Sequence, residues 1–232
     1  MLVVITGGTK GIGRACAWLF AEKGYDIALC ARTEKDLIAL RGEITGKFNV
    51  QVFTKVCDVS KKEEVITFGK FCLENMKTVD VLINNAGIFL PGDIYDEEDG
   101  LLEQLIETNL YSAYYLTKII VPEMIKEKRG HVINICSVAS INGYDKGGSY
   151  GITKHALLGF SKNLRHELKK TGIRVTAVLP GAVFTDSWGE TDLPEERFMK
   201  AEDIASVIYN AVEISERSVV EEILIRPMLG DI

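Results

Sequence analysis

The chain has 232 residues, of which 47% are hydrophobic, and a formal net charge of −6. That length and apolar content suit one large α/β unit, 1–232, and no Pro/Ser/Gly-rich linker or low-complexity tract divides it. Lys and Arg are scattered without a basic patch, which argues against nucleic acid, and no apolar run reaches the length of a membrane span.

Residues 2–5, Leu-Val-Val-Ile, read as a short buried strand. TGGTKGIG follows at 6–13, and then an amphipathic run. Strand, glycine turn and helix together form the context that a dinucleotide-binding fingerprint requires. Gly7, Gly11 and Gly13 let the chain turn tightly, with Thr9, Lys10 and Ile12 between them. Backbone N–H groups there can approach a pyrophosphate at the positive end of the helix that follows. The spacing is G-x-x-x-G-x-G, so an ordinary βα turn stays open as the alternative.

The second strand, 26–31, ends at Ala31 and is followed by Arg32. An NAD site places an acid about twenty residues past the glycines, on the ribose 2′-hydroxyl. Asp26 opens this strand rather than closing it. Lys10 and Arg32 suit a 2′-phosphate, which favours NADP(H); the alternative is a pair of solvated surface charges. A third strand, 49–56, runs into Cys57-Asp58-Val59. Asp58 can accept a hydrogen bond from an adenine amino group, or it can start the helix at 61–77, for which Ser60 is the better N-cap. The fourth strand, 79–84, ends in Asn84-Asn85-Ala86-Gly87, whose amides and glycine allow close approach of backbone to a ribose.

DEEDG (96–100) reads as a solvated entrance to a helix over 101–128. Strands at 131–136, 173–179 and 221–226 alternate with helices at 150–170 and 202–214, as the earlier strands do with helices at 12–23 and 33–45. This alternation predicts a Rossmann-type, doubly wound α/β sandwich: a seven-stranded parallel sheet with helices on both faces and ligands at the carboxyl ends of the strands.

Ser137 stands at the end of the fifth strand, and Tyr150 and Lys154 lie one helical turn apart just beyond it. A hydroxyl, a phenol and an ammonium so placed can protonate a carbonyl oxygen while a cofactor delivers hydride. Tyr114 and Lys118 repeat the Tyr-x-x-x-Lys spacing, but Leu101 holds the place that Ser137 holds for the other pair. Five cysteines, at 16, 30, 57, 72 and 136, show no metal-ligand spacing, and His131, His155 and His166 have no ligand-like partners. The expectation is no metal and reduced, buried thiols in a cytoplasmic protein, with the first strand leaving no room for a signal peptide.

Taken in order, TGGTKGIG, Cys57-Asp58-Val59, NNAG at 84–87, Asn109, Ser137, YGITK at 150–154 and PGAVFT at 180–185 resemble the motifs of the short-chain dehydrogenase/reductase family over essentially the whole chain. The resemblance implies an NADPH-dependent oxidoreductase that reduces a ketone or dicarbonyl to the alcohol. It implies Tyr150 as acid/base, Ser137 on the substrate oxygen, and Lys154 beside the tyrosine and on the nicotinamide ribose. It implies a water-mediated proton path through Asn109. Asp58, Val59, Asn85, Ala86 and Gly87 would meet the cofactor's adenosine and ribose, and Pro180, Gly181, Val183 and Thr185 its nicotinamide side. The segment at about 186–200 corresponds to the family's substrate lid and is short here. Its Trp188 either stacks on a planar substrate or simply packs.

The tail and PGAVFTDSW resemble bacterial sepiapterin-reductase-type members, so a sepiapterin-like or other small carbonyl compound is the expected substrate. A 3-ketoacyl reductase is the nearest alternative, and it needs a basic dock for an acyl carrier. A non-catalytic dinucleotide-sensing regulator is the alternative from another class, because fold alone does not decide function. Leu157, Phe160, Leu164 and Leu168 on the 150–170 helix read as core. From the family they read as a helix-to-helix interface in a homodimer or homotetramer.

Overall fold

The computed structural model describes residues 1–76, 78–185 and 191–232. Seven strands form one parallel sheet: β1 (Leu2–Thr6), β2 (Asp26–Ala31), β3 (Val52–Val56), β4 (Val81–Asn84), β5 (Gly130–Ile135), β6 (Ile173–Pro180) and β7 (Glu222–Ile225). Their order is β3-β2-β1-β4-β5-β6-β7. The chain winds outward from β1 to β3, then returns to β4 on the other side of β1. The strand order therefore reverses between β1 and β4, and a crevice opens at the carboxyl ends of those two strands.

The strands read as continuous apolar runs because both faces of the sheet are covered. In β1, Val3 and Ile5 pack under α1 (Gly11–Glu22), α2 (Glu34–Lys47) and α7 (Ala201–Glu213), with Phe20, Leu37, Ile44, Ile204 and Ile208. Leu2 and Val4 point the other way, toward Phe68 of α3 (Lys62–Asn75), Leu116 and Ile120 of α5 (Ser112–Glu127), and Leu164 and Leu168 of α6 (Gly148–Leu168). Leu157, Leu164 and Leu168 therefore belong to the core, while Phe160 is half-buried against Tyr114 on the outer flank. All five cysteines are buried and free. No helix among the described residues is long and apolar enough to cross a membrane.

Two expectations change. The helix at 101–128 is broken: α4 (Leu101–Ile106) gives way to a π-helical turn, Glu107–Tyr111, before α5. A π turn adds one residue to the helical run, and the residue types at 101–128 carry no signal that marks where it falls. Ser60 does not cap α3. The helix starts after Lys61 with no side-chain cap, and the Ser60 hydroxyl donates instead to Asp58 Oδ1 at 2.8 Å.

Candidate active site

The glycine turn is locked to the loop after β4 by a reciprocal set of bonds. Thr6 Oγ1 accepts from the backbone N–H groups of Asn85 and Ala86, each at 3.0 Å. The Asn85 amide donates to the carbonyls of Thr6 (2.9 Å) and Gly7 (3.1 Å). Gly11 adopts φ +49°, and a Cβ there would lie 2.9 Å from Thr185 Cγ2. A Cβ on Gly13 would overlap the Gly7 carbonyl oxygen. α1 then begins after Lys10 with no side-chain cap and no acid in its first turn. The positive end of α1 is left to an anion.

At the other end of the crevice, β5 delivers Cys136 and Ser137. The Ser137 backbone N–H donates to Ser140 Oγ at 3.2 Å, and Ser137 Oγ accepts from the Ala139 N–H at 3.1 Å. These bonds close a short 3₁₀ turn, Val138–Ser140. With its oxygen occupied as an acceptor, the Ser137 hydroxyl has a proton to donate elsewhere. α6 carries Tyr150 and Lys154 one turn apart. The Lys154 side chain is 4% exposed, and its ammonium donates to Ile135 O at 2.9 Å. It lies 5.6 Å from the centre of the Tyr150 ring. Phe89 meets that ring edge-on at 5.0 Å.

Asn109 sits in the π turn, fully enclosed. Its Oδ1 accepts from Ile88 N at 2.8 Å, and its Nδ2 donates to Ile88 O (3.0 Å) and Thr153 Oγ1 (3.1 Å). The side chain ties the loop after β4 to α6 one residue from Lys154. A Cβ on Gly87 would lie 3.2 Å from Asn109 Oδ1 and 3.5 Å from Lys154 Nζ, so a larger residue there would press on the Asn109 side chain. Burial pushes the Cys136 thiol up to about 11 against the opposing charge of Lys154, which leaves it protonated and unreactive. Tyr114 and Lys118 share the spacing but not the place: Tyr114 is 41% exposed on α5, against Tyr115 and Phe160.

A single cavity of about 1270 Å³ joins the two ends. Gly7, Thr9, Lys10, Gly11 and Ile12 line it from the glycine turn, and Arg32, Asp58, Val59, Asn85, Ala86 and Gly87 from the neighbouring strand ends. Ser137, Tyr150, Lys154, Pro180, Gly181, Val183 and Thr185 line the remainder. Of the predicted site residues that are described, Gly13 and Asn109 stand behind the wall as packing and tie. Burial works to raise the Asp58 carboxyl, but the N–H and hydroxyl of Ser60 and the charges of Lys61 and Arg32 outweigh it and hold the group below the usual carboxylate range.

The cavity also brings in residues that no motif marks. Thr33 and Asp36 join Arg32 at the head of α2, and Gln104, Phe89 and Tyr144 line the opposite end. Asp231 returns from the far end of the chain, ion-paired to Arg226, and a Cβ on Gly181 would lie 2.9 Å from its Oδ1. DEEDG is only partly solvated, because Glu97 turns inward and accepts from the Ser149 N–H at 2.9 Å. Trp188 lies outside the described residues. The base of its segment is tied by Phe184 N to Met199 O (2.9 Å) and Met199 N to Ala182 O (3.0 Å).

The profile of the short chain dehydrogenase family matches residues 1–196. The sepiapterin reductase of Chlorobaculum tepidum is 32% identical over 239 residues, covering 100% of this chain and 98% of its own. Among solved structures, a metagenomic short-chain oxidoreductase in complex with NADP superposes with a TM-score of 0.86 at 30% identity, covering 99% of this chain and 98% of that one. An alcohol dehydrogenase from the archaeon Thermococcus sibiricus, complexed with 5-hydroxy-NADP, gives 0.92 at 29% identity, covering 98% and 96%. The fold, the glycine cradle and this likeness define an oxidoreductase on a Rossmann-type sheet. The chain belongs to the short-chain dehydrogenase family.

Proposed function

We propose that this chain is an NADP(H)-dependent carbonyl reductase with Tyr150 as its proton donor. The single observation that carries the reading is the shared cavity: a cradle for a dinucleotide at one end, and Ser137, Tyr150 and Lys154 at the other. The cradle fits the cofactor on its own terms. The uncapped start of α1 suits the pyrophosphate, and the Arg32 guanidinium suits a 2′-phosphate. NADP bound to the metagenomic relative supports the same choice.

When bound, the nicotinamide supplies or accepts the hydride. The protein's work is positioning and proton transfer. The Ser137 hydroxyl donates to the carbonyl oxygen, and Tyr150 gives that oxygen its proton. The Lys154 ammonium stabilises the phenolate that remains. Asn109 holds Ile88 and Thr153 so that this geometry persists, and its turn is the place for a water-borne proton path toward Lys154. The segment at about 186–200, with Trp188, is the substrate lid.

The 32% identity with a sepiapterin reductase supports a pterin-like ligand or another small carbonyl compound. A pterin-like or small dicarbonyl substrate therefore fits better than a carrier-bound 3-ketoacyl group. The exposed Tyr114 and Ile152 on the α5/α6 flank, with Tyr111 in the adjoining π turn, support association into a homodimer or homotetramer. The test follows cofactor oxidation optically, with NADPH and NADH, against ketones, diketones, pterins and a 3-ketoacyl carrier. Activity on diketones or pterins with NADPH is expected. Turnover of the carrier substrate alone would replace the substrate assignment, and no turnover at all with tight cofactor binding would favour a sensor.

A further inference from the structure

We propose that Glu97 is a positioning residue that sets the first turn of α6 and, through it, the placement of Tyr150. The proposal rests on the reading of Tyr150 as proton donor. The first turn of a helix leaves backbone N–H groups without an intrahelical acceptor. α6 supplies no cap of its own, since Gly147 precedes it in helical conformation and makes no side-chain bond.

Glu97 fills that role from the loop after β4. Its Oε1 accepts from the Ser149 N–H at 2.9 Å, and its Oε2 accepts from the Ser149 hydroxyl. Ser149 is buried and immediately precedes Tyr150. The carboxylate lies in a notch made by two glycines. A Cβ on Gly148, at φ +25°, would overlap Glu97 Oε1, and one on Gly92 would lie 2.7 Å from Glu97 Cγ. The backbone is stitched at the same place, with Gly92 N donating to Lys146 O and Glu97 N to Asp93 O, each at 3.0 Å.

A carboxylate at a helix N-terminus also meets the positive end of the helix dipole. α6 is thus pinned at two points: by Glu97 at its start, and by the Lys154 bond to Ile135 O one turn beyond Tyr150. Removing the first pin leaves the tyrosine on a fraying end.

The experiment compares Glu97→Ala, Glu97→Gln and Ser149→Ala. It reads kcat, KM for the carbonyl substrate, cofactor Kd by fluorescence, and amide exchange over 147–154 in the cofactor-free protein. Glu97→Ala is expected to lower kcat by on the order of 10–100-fold while cofactor Kd stays within about twofold. Exchange should quicken at 147–151 and nowhere else. Glu97→Gln keeps an acceptor for the Ser149 N–H and should return kcat to within about threefold of the unaltered protein. An unchanged kcat in Glu97→Ala, or equal losses of kcat and cofactor affinity, would overturn the proposal. Should Glu97→Ala not fold, Ser149→Ala removes one of the two bonds and carries the same comparison with a smaller loss. Tyr150→Phe is run alongside. Full turnover in that variant removes Tyr150 from the chemistry, whereas the exchange pattern still decides whether Glu97 orders the turn.

Discussion

The Lys154 ammonium stands 5.6 Å from the centre of the Tyr150 ring while donating to Ile135 O at the mouth of β5. One cation therefore serves two purposes. It anchors α6 to the sheet, and it places positive charge beside the phenol that the proposed mechanism uses as proton donor.

Tyr150→Phe should cut turnover by about 10²–10⁴-fold, the usual span of general acid–base contributions. The ring still packs edge-on against Phe89, so cofactor Kd should hold. Tyr114→Phe, on the outer flank, should leave activity intact. Steady-state kinetics on the two variants decide between the pairs, and a dead Tyr114→Phe enzyme would reverse the assignment.

Arg32→Asp should weaken NADPH and spare NADH. Bonds to charged groups are worth roughly 1.5–3 kcal/mol, so the preference ratio should fall by at least about tenfold. The ratio of kcat/KM for the two cofactors measures it, and equal efficiency in the unaltered protein would remove the premise.

His131 is a buried histidine outside the cavity, and burial holds it down at about 3, with the Arg174 charge acting the same way. Its Nε2 meets Thr176 Oγ1 at 2.7 Å, and the Thr176 hydroxyl donates onward to Val220 O. Nε2 must therefore carry the proton, and Nδ1 is buried without a partner. The folded value lies below the unfolded one near 6.5, so the unfolded chain binds the proton first. Stability from this residue is present above about 6.5 and is lost as pH falls toward 3. At about 1.4 kcal/mol per pH unit the loss over that span is on the order of 5 kcal/mol. Urea unfolding at pH 7 and pH 4 should show a steeper loss in the native chain than in His131→Gln, and matching slopes would count against it.

Gly42→Ala and Gly13→Ala should act in opposite directions. A Cβ on Gly42 meets nothing within 4 Å in the middle of α2, and alanine there should raise stability by about 1 kcal/mol. A Cβ on Gly13 runs into the Gly7 carbonyl and the Asn85 amide, so that variant should lose both cofactor affinity and thermal stability. Melting curves with and without NADPH separate the two effects.

What could be read from the chain was whatever local spacing encodes. Apolar runs gave the strands, Gly7, Gly11 and Gly13 the cradle, and Tyr150 and Lys154 a shared helix face. Contacts made across long stretches of chain were not legible. Nothing near Glu97 announces Ser149, nothing near Asp231 announces Gly181, and no residue type in 101–128 marks the π turn that seats Asn109. Ser60 shows the same limit at short range, since either Asp58 or the helix could claim its hydroxyl, and Asp58 did.

The place of β1 at the middle of the sheet has a consequence for how the chain assembles. Its partner β2 follows closely, but its other partner, β4, comes much later: Leu2 N–H donates to Asp80 across 78 residues at 2.7 Å. Loop closure over such a separation costs entropy before any contact repays it, which slows folding. The bonds that hold the glycine turn, from Thr6 to Asn85 and Ala86, form only when β4 docks. The fixed shape of the phosphate loop is therefore coupled to the docking of β4 beside β1, and a change that loosens that strand pair should loosen the loop as well.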